Sequence, residues 1–210
     1  MTATDLFRRA GKPVVFVLCL GPLAWAVWLG FSGGLGVNPI EFLNRYLGDW
    51  AMRMILITLA VTPIRLITGW GGLLRFRRML GLFAFFYVFL HVTNYVAVDQ
   101  FFNWKIIWQD ILKRTYITVG MTAVALLIPL AVTSTDAMIR RMGAKAWQSL
   151  HRSIYIVGPL VIVHFYMMVK ADVREPLIYG AILAVLLGIR LVHALKRRVD
   201  RRRRAATAST

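Results

Sequence analysis

Residues 147–170, WQSLHRSIYIVGPLVIVHFYMMVK, form a mostly apolar run long enough to cross a bilayer, yet they hold two histidines, His151 and His164. A hydrocarbon core about 30 Å thick takes roughly 20 residues of helix to cross. Ionisable side chains at that depth are costly, so each one points first to a function. The two histidines lie 13 residues apart, which is ~20 Å along a helix axis at ~1.5 Å per residue. One belongs near each edge of the apolar layer. A second apolar run, 79–98, carries His91. Two helices that offer imidazoles at one depth meet the requirement of a haem clamped between helices.

The same kind of run recurs six times, at about 13–31, 50–67, 79–98, 115–133, 147–169 and 176–194. The expectation is an all-α, polytopic membrane protein: a six-helix transmembrane bundle over residues 1–198, followed by a basic tail over 199–210. A chain that is 59% hydrophobic over 210 residues is too apolar for an ordinary soluble domain of this size. A net charge of +17 could suggest a nucleic-acid partner, but the cations gather in short connections between the apolar runs. That is the pattern of membrane insertion, so lipid is the expected partner and nucleic acid is not. The single cysteine, Cys19, excludes a disulfide within the chain and a cysteine-based metal site. The basic start resembles the front of a signal peptide. Its apolar run is long and lacks a clear small-x-small cleavage site, so an uncleaved first span is expected.

Between the runs, residues 32–49 read as a loop, with Gly33, Gly34, Gly36 and the Asn38-Pro39 pair. Residues 68–78 read as a second loop, and 99–114 as a polar connection whose Trp104 and Trp108 suit the membrane interface. Thr133-Ser134-Thr135-Asp136 offers capping residues for a short basic helix through Arg140 and Arg141. In the connections and ends, seventeen Lys and Arg fall on the side of the two termini and six, Lys170 among them, on the other. The positive side is cytoplasmic by this rule, so both termini are expected inside. His91 and His164 then fall in the outer halves of their spans. His151 and His193 fall near inner edges.

His91 and His164 read as the two axial ligands of one haem b. Iron with both axial positions filled suits electron transfer rather than oxygen chemistry. The plainer alternative is a helix–helix hydrogen bond or a proton relay. His151 reads either as a ligand of a second, inner haem or as an interfacial group touching a propionate or lipid phosphate. Thirteen residues before His91 stands Arg78 rather than a partner histidine. His193, in a basic segment, reads as ordinary. Arg53 is a candidate propionate partner for the outer haem, and Arg77 and Arg78 for an inner anionic cofactor, since a guanidinium matches a carboxylate in two-pronged fashion. Snorkelling to the interface is the alternative for each arginine. On a regular helix, 13 residues at ~100° each leave His151 and His164 about 140° from a common face. The Gly158-Pro159 pair is expected to kink or rewind the span between them. No dinucleotide fingerprint in a βαβ context is present, and the six spans leave no room for a soluble flavin or nicotinamide domain. If electrons cross here, a separate donor and acceptor must meet the chain at its two faces. An outer haem alone leaves most of the membrane uncovered, which calls for an inner carrier: a second haem, a flavin or a bound quinone.

Several segments together resemble a known family: Gly33-Gly34-Leu35-Gly36, Thr62-Pro63, Arg77-Arg78-Met79-Leu80-Gly81-Leu82, Leu90-His91-Val92-Thr93-Asn94-Tyr95, Thr133-Ser134-Thr135-Asp136-Ala137-Met138 and Trp147-Gln148-Ser149-Leu150-His151, with His164 at the family's spacing. In this order and with these gaps, nearly the whole chain is similar to the haem-binding membrane subunits of the bacterial periplasmic methionine sulfoxide reductase system, the MsrQ or YedZ family. That family sits within the ferric-reductase-like transmembrane group. The resemblance implies an inner-membrane cytochrome with haem b, one or two, and with FMN. It implies electrons arriving from the quinone pool or a cytosolic flavin reductase. It implies their delivery to a periplasmic molybdopterin-containing partner, MsrP, which repairs oxidised proteins. His91, His151 and His164 match the family's haem-associated histidines, and no substrate chemistry of the subunit's own is expected. The rivals are a ferric or quinone reductase of the same architecture and a haem-free transporter or channel with a histidine relay.

Overall fold

A bilayer offers the backbone no water to bond, so every span must satisfy its own peptide groups, and an apolar chain does this as helices. The computed structural model describes residues 3–169 and 171–207. Lys170 and the end of the tail expected over 199–210 lie outside the described residues. Among the described residues nine α-helices follow one another: α1 (Ala3–Ser32), α2 (Pro39–Thr68), α3 (Arg77–Thr93), α4 (Trp104–Lys113), α5 (Thr115–Val132), α6 (Asp136–Met142), α7 (Ala144–His151), α8 (Ile154–Met168) and α9 (Arg174–Thr207). No strand occurs among the described residues. Six segments of the described residues are long and apolar enough to cross a membrane: Ala10–Ser32, Pro39–Thr68, Gly71–Asp99, Thr115–Val132, Ala144–Met168 and Arg174–Ala205. The all-α, six-span architecture is the expected one.

Three connections hold more structure than expected. The loop read over 32–49 ends at Asn38, where α2 begins. The Asn38 side chain accepts the Glu41 N–H at 3.2 Å, and Pro39 occupies the first helical position, where its missing N–H costs nothing. The Asn-Pro pair thus starts a helix. The loop read over 68–78 contains a 3-10 turn, Gly71–Phe76, after Gly69 closes α2 in the left-handed conformation (φ +71°). The connection read over 99–114 contains α4. Asn103 caps it, Ile107 and Asp110 face inward, and Trp104 and Trp108 stay exposed as an interface would have them. α6 starts as expected, with the Thr135 side chain accepting the Met138 N–H.

The fifth span is broken, but not at Gly158-Pro159. It separates into α7 and α8 at Arg152-Ser153. There Ser153 N–H donates to Leu150 O, Tyr155 N–H to Arg152 O and Ile156 N–H to Ser153 O. These are tight bonds to the third residue back. Pro159 cannot donate to Tyr155 O, and its ring crowds that turn. The distortion settles upstream, where over-winding changes the angular relation of His151 to His164.

The bundle is built on two antiparallel pairs, α2 with α3 and α5 with α8, with α9 against α8 and α2. The core between α1, α2 and α3 centres on Tyr87, which is 0% exposed. Its hydroxyl donates to Cys19 O at 2.8 Å and accepts the Leu23 N–H at 3.2 Å. It stands in the rung that those two backbone groups would share in an unbroken helix, next to Pro22, which interrupts α1.

Candidate functional site

His91 lies in the last turn of α3 and His164 in the last two turns of α8. The structure brings their rings together, with centroids 6.5 Å apart and planes at 80°. Each ring is held in the same way. Nδ1 of His91 is 2.9 Å from the carbonyl oxygen of Asn44 on α2, and Nδ1 of His164 is 2.7 Å from that of Tyr116 on α5. A carbonyl only accepts, so each Nδ1 carries the proton and donates it, and each Nε2 keeps its lone pair. A histidine anchored this way through one nitrogen is oriented to ligate a metal through the other.

The rings reach these carbonyls because a glycine stands one turn further along each supporting helix. A Cβ built on Gly48 falls 3.2 Å from Nδ1 and Cε1 of His91. A Cβ built on Gly120 falls 2.8 Å from Nδ1 and 2.9 Å from Cε1 of His164. Asn44 with Gly48, and Tyr116 with Gly120, therefore form two equivalent notches: a carbonyl at one position and an open surface four residues on. None of these four residues stands out in the sequence. The available signal is a glycine inside an apolar helix that pairs with a histidine-bearing one.

The separation fits a metal between the rings. Bonds of ~2.1 Å from a metal to each imidazole nitrogen, with ~1.1 Å from nitrogen to ring centre, place two centroids ~6.4 Å apart. Among the described residues no group of three or more His, Cys, Asp or Glu side chains comes together for a metal ion. Two imidazoles here require a ligand that brings the rest of its own coordination, as a porphyrin does. A cavity of about 420 Å³ on the α2, α8 and α9 side of the bundle is lined by Asp49, Phe165 and Met168, and neither histidine lines it. It reaches Arg45 and Glu175 at the end of the bundle where α2 and α9 begin. The haem-bearing fit thus rests on the donor set, its spacing and its protonation.

The other sequence candidates lie elsewhere. Arg53, one turn beyond Asp49, donates from Nε to Tyr179 Oη at 2.9 Å and sits 5.1 Å from the centre of the Trp50 ring. His151 closes α7 at the opposite end of the bundle, stacked on Trp147 with centroids 3.9 Å apart. Its Nε2 is 3.1 Å from Thr133 Oγ1. That hydroxyl donates to Pro129 O at 2.6 Å, so it accepts from His151, whose Nε2 carries the proton. His151 is thus arranged oppositely to His91 and His164. Arg78 pairs with Asp136 at the start of α6. Arg77 adjoins it at the start of α3. His193 lies half-buried on α9.

The chain matches the family described as ferric reductase like transmembrane component over residues 47–163. It is 55% identical over 190 residues to the protein-methionine-sulfoxide reductase heme-binding subunit MsrQ of Rhodospirillum rubrum, covering 90% of this chain and 91% of that protein. It is 52% identical over 174 residues to the same subunit of Caulobacter vibrioides, covering 83% of each. With that of Herminiimonas arsenicoxydans it shares 44% identity over 199 residues, 94% of this chain and 91% of that protein. On this identity, sustained over nearly its whole length, the chain belongs to the MsrQ family of ferric-reductase-like membrane subunits.

Proposed function

We propose that this protein is a haem b cytochrome of the bacterial inner membrane, with His91 and His164 as the axial ligands. It carries electrons from the cytoplasmic side to a periplasmic methionine sulfoxide reductase. The observation that carries the reading is the pair of imidazoles 6.5 Å apart, each with Nδ1 committed to a backbone carbonyl. A haem bound by both supplies one-electron transfer and no open position for oxygen. The chain's own part is to fix the two rings through Nδ1 and leave both Nε2 lone pairs free to ligate. Arg53, one turn beyond Asp49, supplies a cation for a propionate.

The finer assignments are what the resemblance implies. The acceptor is a molybdopterin-containing MsrP-type partner at the outer face, and the donor is the quinone pool or a cytosolic flavin reductase. Residues 1–198 form the membrane domain and both termini are cytoplasmic, in keeping with the excess of cations on that side. FMN belongs to the reading with no residue assigned to hold it. His151, with Arg77 and Arg78, marks the inner side. A second haem there requires His151 to give up its bond to Thr133 or to ligate through Nδ1. Reduced-minus-oxidised absorption spectra of the purified wild type and of the His91→Ala and His164→Ala variants test the assignment. A b-type spectrum lost in both variants is expected; a colourless wild type, or full haem retention in either variant, overturns it.

A further inference from the structure

A second constellation lies at the other end of the bundle, and it does not depend on the haem reading. α9 carries Arg190 within the apolar stretch Leu186-Leu187-Gly188-Ile189-Arg190-Leu191-Val192. It stands 16 residues from the start of the helix, ~24 Å along its axis. A guanidinium at that depth is costly unless its charge and all its donors are met. Arg190 has neutral partners only. Nη1 donates to Tyr155 Oη at 2.8 Å on α8, and Nη2 to Leu59 O at 2.6 Å on α2.

Its Nε is buried with no partner, and it is not alone. Five buried side-chain nitrogen or oxygen atoms lack a partner among the described residues, and four of them are Thr62 Oγ1, Arg65 Nε, Arg190 Nε and His193 Nε2. α2 and α9, the second and sixth spans, run in the same direction and pack together. Arg190 is bonded at the level of Leu59. Three residues further on each helix come Thr62 and His193, and Arg65 follows one turn later on α2. The four orphaned atoms are therefore gathered on two facing helix segments. The four ion pairs of the described residues, Glu41–Arg45, Arg78–Asp136, Asp110–Arg114 and Asp172–Arg174, leave this cluster without a carboxylate.

A guanidinium Nε can only donate, and a histidine nitrogen and a hydroxyl can do so as well. Unmet donors beside uncompensated cations at a bilayer edge call for an oxyanion. Buried polar groups are ordinarily met and buried charges paired, whereas among the described residues nothing meets these four atoms and no carboxylate pairs these cations. We propose that the final turns of α2 and the facing part of α9 form a phosphate site, in which Arg65, Arg190 and His193 hold a phosphate ester. The ester belongs either to the headgroup of an anionic lipid or to a soluble phosphorylated molecule.

Native mass spectrometry of the delipidated full chain tests the site, with phosphatidylglycerol or phosphatidylcholine added. Arg65→Gln and His193→Gln are the variants, because neither side chain holds a backbone group in place as Arg190 does. Arg141→Gln on α6 is the control. One phosphatidylglycerol retained per wild-type chain, with phosphatidylcholine washed out and retention falling about tenfold in both variants but not in the control, establishes a lipid headgroup. If neither lipid is retained, but inorganic phosphate raises the melting temperature of the wild type and not of the variants, the soluble ester is the ligand. If lipid and phosphate both fail to distinguish wild type from variants of unchanged circular dichroism, the site does not exist.

Discussion

The two notches that hold the histidines make a prediction that separates them by crowding. At Gly120 an added methyl meets His164 at 2.8 Å, and at Gly48 it meets His91 at 3.2 Å. Gly120→Ala must push the ring off the Tyr116 carbonyl. Gly48→Ala can be absorbed by a shift of a few tenths of an ångström. Overpacking of this kind costs about 1–3 kcal/mol, and losing the carbonyl bond frees the ring to rotate and change tautomer. Gly120→Ala is expected to shift the absorption maximum and midpoint potential of the purified cytochrome and to lower its haem content. Gly48→Ala should do so less, and equal behaviour of the two contradicts this geometry. Three histidines were legible in the sequence because an ionisable group in hydrocarbon demands a reason. The glycines were not, since what they provide is an absent side chain against a partner some 45 residues away. Nor could the sequence show that His151 donates to Thr133, because that depends on where the fifth span breaks.

At the level of elements, the connections carry the ties that orient the spans. Arg78, at the start of α3, is bonded to Asp136, at the start of α6. The hydrogen bond and charge of Arg78 hold the Asp136 carboxyl below the usual carboxylate range. A carboxyl whose folded value is depressed contributes stability above its unfolded value, and loses it as pH falls through the folded one. The difference in melting temperature between wild type and Asp136→Asn should therefore stay constant from pH 8 to about pH 5 and vanish only in stronger acid. The difference should also be small, since the pair is exposed. A difference that changes between pH 6 and 8 contradicts the pairing. The helices of the spans were readable from their apolar runs. The start of α2 at Pro39 and the whole of α4 were hidden, because turn-forming Asn and Gly signal both a loop and a helix cap. Rewinding of the fifth span between its histidines was expected from Gly158-Pro159, but not its place before α8, because a proline's missing bond is felt in the turn before it.

Over the whole molecule, the six spans place one imidazole pair at the end where α2 and α9 begin and a cation-rich cluster at the other. Length, hydropathy and charge distribution made that architecture legible. The central claim is that His91 and His164 ligate one iron from opposite sides, with ring planes 80° apart. The most direct measurement is low-temperature electron paramagnetic resonance of the oxidised, detergent-purified protein. Two imidazoles nearly perpendicular to each other predict a low-spin ferric signal of strongly anisotropic form, absent from His91→Ala and from His164→Ala. A high-spin signal in the wild type, or a low-spin signal that survives either substitution, contradicts the assignment.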